Sequence, residues 1–596
     1  LCYFGVPVDI SSRYKQTANI ETLYKWQQEC LLVDDCKVLK GQNLVYCAPT
    51  RWFALSHRFS GGKTLVAEIL MIRNILRMFS GPCCRVELAG ETRRKQALFV
   101  LPYVSIVTEK VQYFERLFKR GYGSTITVKG FFQEEGGSEL PETVDVGVCT
   151  IEKANSLINR MIEKQTLSRL GIVVIDELHM MSDEHRGYLL EVMLTKIRFH
   201  DVRPCSDAAA VLSHFEESPS LSDAPPFKIT ATVQRPTTPS IQIIGLSATM
   251  SNPTDVCQSL QASLFITDFR PVPLSQYVKT GNQIRDSQWN VVRTLSLDIE
   301  EESLSKSDPD HVSKLCAEAV VNLHSVLVFC ASRESTERVA RMLASALPRI
   351  LPHSSVTPSV AAARETIRRE LQRINPDPVL QCCVPQGIAF HHAGLTLKER
   401  DRIEAGYRGG IILVLCATST LAAGVNLPAH RVIFREPKIG RDLLDAVRYR
   451  QMSGRAGRAG KSRTGESFLI VSPPQKKLAL ELMNAELPYL RSSLYEAHPT
   501  GSRMSCKGMT RLLMDSIGSG IVTTMSDIEA FLQGTLLFVQ QSADLVGNAA
   551  QTSLTFLEKN GFIRSASLPR FHRWTRQRWV PTKLGKATFL SLFCPE

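Results

Sequence analysis

Asn43-Leu44-Val45-Tyr46-Cys47-Ala48-Pro49-Thr50 and, ten residues on, Ser60-Gly61-Gly62-Lys63-Thr64-Leu65-Val66-Ala67-Glu68-Ile69-Leu70 are two halves of one phosphate-binding loop. The first half reads as a buried strand running into a turn, and Leu65 onward reads as a helix. Joined, they spell A-P-T-S-G-G-K-T between strand and helix. Such a loop works because successive backbone N–H groups and a helix N-terminus converge on phosphate oxygens. The lysine reaches the terminal phosphates and the threonine hydroxyl holds Mg²⁺. Thr50, Ser60, Gly61, Gly62, Lys63 and Thr64 are therefore the expected cradle, and residues 51–59 interrupt it. Their placement before Ser60 leaves Lys63 and Thr64 in register with the helix. The interruption is read as a retained intron or gene-model error, with an outward bulge as the alternative.

Working outward, apolar runs at residues 97–101, 144–148, 171–175 and 241–245 alternate with helical patterns. Continuous rather than alternating hydrophobicity marks strands buried on both faces, hence a parallel α/β sheet. A second series follows at 325–329, 387–390, 411–415 and 431–434. Residues 201–240, rich in Ser, Pro and Ala, read as a surface insertion, and the polar stretch 298–310 as a loop. From about residue 486 the pattern turns helical and ends in helix (552–560), strand, basic loop, strand, the order of a winged helix. The expected fold is α/β: tandem parallel-sheet motor domains at 1–264 and 265–485, followed by a winged-helix domain at 486–596.

The length, 596 residues, exceeds one core. The 44% hydrophobic and 22% charged residues are those of a globular protein, and a net charge of +13 favours a polyanionic partner. Sixteen cysteines without any C-x-x-C argue against a metal cluster built on that spacing and against a secreted disulfide framework. No apolar run approaches a membrane span, so no membrane partner is expected.

Asp176-Glu177-Leu178-His179 follows the apolar run 171–175. A carboxylate pair at the C-terminal edge of a parallel sheet suits Mg²⁺ binding by Asp176 and orientation of an attacking water by Glu177. Acids at a helix N-terminus would be the structural alternative. Ser247-Ala248-Thr249 ends the next strand and gains a coupling role only beside the other motifs. Gln451-Met452-Ser453-Gly454-Arg455-Ala456-Gly457-Arg458 carries two arginines three apart, which helical spacing would place on one face toward a γ-phosphate. Thr418 to Pro428 offers hydroxyls and small residues, Gly424 among them, for close approach to phosphate. Arg570-Phe571-His572-Arg573-Trp574-Thr575-Arg576-Gln577-Arg578-Trp579 interleaves arginines with aromatics, a composition that holds phosphates and stacks bases.

These motifs in this order resemble the superfamily 2 helicases, and several segments bear a closer resemblance to helicase regions of the polymerase theta type: 97–105, 149–155, 185–190, 267–274 and 424–429. The resemblance implies an ATP- and Mg²⁺-dependent motor, in tandem RecA-like domains, tracking single-stranded or partly double-stranded DNA in the nucleus for microhomology-mediated end joining. Gln27 matches the adenine-reading glutamine, with Phe4 as the adenine-side aromatic. Lys63, Thr64, Asp176, Glu177, Gln451, Arg455 and Arg458 take the hydrolytic roles. Pro102, Thr150, Lys153 and Thr418 are implied strand contacts, as are Arg570, Arg573, Arg576 and Arg578 from the wing reading. Residues 435–448 occupy the place of a strand-separating hairpin. A polymerase region in the intact gene product is implied as a partner. The chain begins at Leu1 and stops before the family's ratchet domain, so it is expected to be a fragment. An annealing platform without hydrolysis and an RNA helicase are the competing readings.

Overall fold

The computed structural model describes residues 1–18, 20–48, 62–76, 95–118, 126–183, 186–200, 216–217, 240–248, 250–269, 272–296, 306–351, 357–375, 377–419, 421, 427–457, 464–484, 489–494, 507–567 and 578–591. The chain divides into two compact units. One gathers Leu1–Ala48, Thr64–Asp268 and Tyr489–Glu596; the other gathers Pro49–Lys63 and Phe269–Pro488.

The first unit is built on a seven-stranded, all-parallel sheet. Its spatial order is Val128–Phe131, Val146–Thr150, Gln96–Leu101, Leu170–Ile175, Gln242–Ser247, Leu44–Cys47 and Ser263–Ile266. The four apolar runs read from sequence form strands, and 170–175 and 242–247 are buried at every position. Each fully buried Val, Leu or Ile side chain contributes about 1.5–3 kcal/mol, so the two central strands anchor the sheet. Helices Thr64–Ile75, Val104–Phe118, Ile151–Glu163 and Gly187–His200 cover it.

Residues 489–596 pack on this same unit. Helices Lys507–Gly518, Met525–Leu532 and Ala543–Lys559 precede strands Ile563–Ser567 and Arg578–Pro581, which pair antiparallel as a wing. The helix expected over 552–560 is the second half of Ala543–Lys559. From the insertion at 201–240, Glu216–Glu217 adds a third strand to the wing sheet through Ala566 and Ser567.

One helix ties wing domain to motor. Along Gly187–His200, Tyr188 donates its hydroxyl to Asp515 (2.7 Å), Arg198 donates to the Gly534 carbonyl (3.2 Å), and the buried Glu191 accepts from Ser492 Oγ (2.8 Å) and the Leu537 N–H (3.2 Å). Burial drives the Glu191 carboxyl up to about 7 despite these bonds. Lys196, also buried, donates to Asn159 Oδ1 (2.9 Å).

The second unit has an eight-stranded sheet. Leu274–Thr280, Gly465–Ile470, Arg431–Phe434, Val326–Phe329, Val414–Ala417 and Ile388–His391 run parallel in that order, and the antiparallel strands Gln283–Arg285 and Val291–Thr294 extend one edge. The run at 411–415 enters the sheet only at Val414. Ile411 and Ile412 spend their N–H groups on the Gly406 carbonyl, closing the preceding helix Leu397–Arg408. Within 435–448, Lys438–Ile439 and Asp442–Leu443 form a short antiparallel hairpin turning at Gly440 (φ 62°), with Leu443 exposed. Among the described residues no helix is long and apolar enough to cross a membrane.

Candidate nucleotide and nucleic-acid site

Strands Leu44–Cys47, Gln242–Ser247 and Leu170–Ile175 are consecutive neighbours, so the segments leaving their C-terminal ends share one sheet edge. Past Leu44–Cys47 comes the phosphate loop. Gly62, Lys63 and Thr64 are buried, and Thr64 is the first residue of its helix. Thr50, Ser60, Gly61 and residues 51–59 lie outside the described residues. Past Leu170–Ile175 comes the acid pair. The Asp176 N–H donates to the Val100 carbonyl (3.0 Å), and Asp176 Oδ1 accepts from the Glu177 N–H (2.9 Å). Glu177 adopts φ 55°, a conformation that non-glycine residues enter at a cost and that turns the chain sharply at the strand end.

Two neighbours fix this turn. Leu178 packs over the sheet where Gly245 has no side chain; a Cβ there would lie 2.4 Å from Leu178 Cδ2. His179 Nδ1 lies 3.2 Å from Ser247 Oγ and 3.5 Å from Glu177 Oε2. The Ser247 carbonyl in turn accepts from the Ala48 N–H (3.1 Å), one residue before the phosphate loop resumes at Pro49. The serine therefore touches both the acid motif and the strand that feeds the loop. Thr249 lies outside the described residues.

Lys63 and Thr64 at a helix start and hard carboxylate oxygens at Asp176 form a donor set suited to a nucleotide's phosphates and a divalent cation. Gln27 is buried, and its Oε1 accepts the Tyr24 N–H (2.9 Å) at the head of helix Lys25–Leu31. Phe4, the aromatic expected from sequence on the adenine side, is buried at 5% exposure, and its neighbour Tyr3 is 84% exposed.

The phosphate helix carries one carboxylate among residues that, Arg73 apart, are buried and mainly apolar. Glu68 accepts from Tyr14 (2.8 Å) and Tyr113 (3.1 Å) and pairs with Lys110, whose ammonium sits over the rings of Phe99, Tyr113 and Phe114. Both tyrosine hydroxyls are pushed well above their ordinary pKa, by burial first and the neighbouring carboxylate second. Sequence reasoning missed this network. Its local signal is a lone glutamate in the apolar run Leu65–Ile72.

Of the expected strand contacts in this unit, Pro102 closes strand Gln96–Leu101 and is buried. Thr150 caps helix Ile151–Glu163, its Oγ 3.5 Å from the Lys153 N–H. Arg578 begins the second wing strand; Arg570, Arg573 and Arg576 lie outside the described residues.

In the second unit, Thr418 follows strand Val414–Ala417 with its N–H 3.3 Å from the His391 carbonyl, and Gly424 lies outside the described residues. Gln451 belongs to helix Ala446–Ser453. Helical spacing does not describe Arg455 as sequence suggested. The helix ends at Ser453, the Arg455 carbonyl accepts the Ala429 N–H (3.0 Å), and Ala456 bridges to Ala429. Glycines at 454 and 457 bracket this departure; Arg455 is buried and Arg458 lies outside the described residues.

Residues 36–256 match the DEAD/DEAH box helicase family, 368–460 the helicase conserved C-terminal domain and 465–564 a helix-turn-helix domain. Two RecA-like domains carrying these motifs define a member of the superfamily 2 helicase family. Within it, the chain belongs with the helicase regions of DNA polymerase theta and the POLQ-like helicases. It is 37% identical to DNA polymerase theta of Mus musculus over all of its own length and 22% of that relative. It is 35% identical to the POLQ-like helicase of Homo sapiens over 98% of its length and 48% of that relative. The ATP-dependent DNA helicase Hel308 of Thermoplasma acidophilum is 29% identical over 94% of this chain and 67% of its own. The chain thus spans about a fifth to a half of the first two relatives.

Proposed function

We propose that this chain is a single-stranded-DNA-stimulated ATPase that translocates on and separates DNA, serving double-strand break repair by microhomology-mediated end joining in the nucleus. The observation that carries the reading is the His179–Ser247 contact. It joins the acid pair to the neighbouring strand's end at the sheet edge where the phosphate loop also emerges. In this reading residues 1–264 and 265–485 are the two motor domains and 486–596 the winged-helix domain. A polymerase region joined in the intact gene product is the implied partner.

Lys63, Thr64 and the helix N-terminus hold the phosphates; Thr64 and Asp176 hold Mg²⁺; Gln27 reads adenine. Bound Mg²⁺ supplies charge neutralisation on the β- and γ-phosphates. Glu177 orients the attacking water and accepts its proton at the carboxylate. Gln451, Arg455, Arg458 and Gly424, all in the second motor domain, carry the nucleotide roles that the family resemblance implies. Pro102, Thr150, Lys153, Thr418 and the wing arginines contact the tracked strand, and the 438–443 hairpin lies where strands part.

A second reading, a DNA-binding and annealing platform without hydrolysis, is favoured by residues 51–59 within the phosphate loop. ATP turnover measured with single-stranded DNA, RNA and no nucleic acid separates the readings. Stimulation by DNA that Glu177→Gln abolishes is the expected result. DNA binding without turnover would establish the platform, and preferential stimulation by RNA would replace the DNA assignment.

A further inference from the structure

Ten residues after Asp176, a single arginine joins two loops that the proposed function assigns to the tracked strand. Asp183 holds the N–H groups of Arg186 and Gly187. Asp183 Oδ1 accepts the Arg186 N–H (2.9 Å), and the Asp183 carbonyl accepts the Gly187 N–H (2.9 Å). A Cβ at Gly187 would lie 2.3 Å from the Met181 carbonyl oxygen, so glycine allows the start of helix Gly187–His200 to approach the acid-motif helix Leu178–Ser182 this closely.

From that anchor the guanidinium reaches in two directions. Nη1 donates to the Pro102 carbonyl (2.8 Å), while Nε pairs with Glu152 Oε1 (2.9 Å). Its face lies over Tyr103, with Cζ 5.3 Å from the ring centroid. Pro102 and Tyr103 lead from strand Gln96–Leu101 into helix Val104–Phe118; Glu152 lies in the first turn of helix Ile151–Glu163, between Thr150 and Lys153. One planar group therefore spans both loops and returns them to the segment that follows the acid pair.

An arginine is required for this. Its rigid fork serves a carbonyl and a carboxylate at once while its face stacks; an ammonium on a flexible stem is a single point charge. The Arg186 side chain is 31% exposed and that of Glu152 46% exposed, so the pair adds little to global stability. Its consequence is local: the separation and orientation of the two loops.

We propose that Arg186 is a positioning residue that holds the Pro102 and Thr150–Lys153 loops in the spacing needed to grip single-stranded nucleic acid, without itself contacting phosphate. The proposal rests on the assignment of these loops to the tracked strand, and a direct binding measurement tests it whether or not DNA stimulates ATP turnover.

The experiment is fluorescence anisotropy of a labelled oligo-dT strand with the full chain and its Arg186→Met, Arg186→Lys and Glu152→Gln variants, across a salt series. Arg186→Met is expected to raise Kd about tenfold with an unchanged slope of log Kd against log salt concentration. Arg186→Lys should recover little of the loss. Glu152→Gln should raise Kd about threefold, and the Arg186→Met/Glu152→Gln double variant should bind no worse than Arg186→Met alone. A slope reduced by about 0.7 would make Arg186 a direct phosphate contact and overturn the proposal. An unchanged Kd in Arg186→Met would overturn it as well. Should Arg186→Met fail to fold, Glu152→Gln decides alone: unchanged affinity in that variant overturns the proposal.

Discussion

His179 Nδ1 lies 3.2 Å from Ser247 Oγ, linking the residue two places after Glu177 to the end of the adjacent strand. A neutral hydrogen bond of this kind contributes about 1 kcal/mol, equivalent to a factor of about five. Ser247→Ala should therefore lower the ratio of DNA-stimulated to unstimulated ATP turnover about fivefold, with the KM for ATP within about twofold of the parent. An unchanged ratio would make the contact a packing detail.

Lys110 neutralises Glu68 inside the first unit, where the side chains are 10% and 1% exposed. Removing one member of a buried pair leaves an uncompensated charge at a cost of about 3–5 kcal/mol. Lys110→Met should lose about that much in chemical denaturation. Lys110→Met/Glu68→Leu should regain only part of it: no carboxylate is orphaned, but the buried Tyr14 and Tyr113 hydroxyls lose the carboxylate that accepts from them.

Glu191 sets a pH dependence with a definite sign. Its folded value of about 7 lies above the ordinary glutamate value near 4.3, so between those limits the folded state binds more protons than the unfolded state. This contribution is fully present at low pH and is lost as pH rises through about 7. The parent should lose roughly 3 kcal/mol relative to Glu191→Gln between pH 4.5 and 7.5. Parallel stability–pH curves for the two proteins would show that the carboxyl titrates normally.

Residues 51–59 divide the phosphate loop, and their deletion restores an uninterrupted Ala48-Pro49-Thr50-Ser60-Gly61-Gly62-Lys63-Thr64. Turnover of ATP should rise in the deleted chain. Equal turnover with and without the segment would mean that the loop accommodates it.

Replacing Arg570, Arg573, Arg576 and Arg578 by alanine should weaken single-stranded DNA binding and flatten its salt dependence, by roughly 0.7 in slope for each phosphate no longer neutralised. Unaltered affinity and slope would leave the wing a structural element.

Where burial dictated residue type, the sequence was readable. Strands 170–175 and 242–247 are apolar because both faces are covered, and the acid pair stands at the end of one of them. Strand Leu274–Thr280 hid because Ser275, Gln276, Lys279 and Thr280 break its apolar run; Lys279 is nonetheless buried, donating to the Gly281 carbonyl. The partners of Arg186 and Glu68 were invisible because they are remote along the chain and only the folded sheet brings them together. Pro102 stands 84 residues from Arg186, and Lys110 and Tyr14 stand 42 and 54 residues from Glu68. Arg455 misled because an R-x-x-R spacing says nothing about where its helix stops.

The first unit is closed by residues 489–596, yet residues 269–488 belong to the other unit. During synthesis the helix Gly187–His200, with Tyr188, Glu191 and Arg198 lacking their final partners, waits for about 290 further residues before Ser492 and the later partners are made. At ribosomal rates of about 5–20 residues per second that interval is roughly 15–60 s. The nascent chain therefore carries the helix without its C-terminal partners until the whole of the second unit has been synthesised.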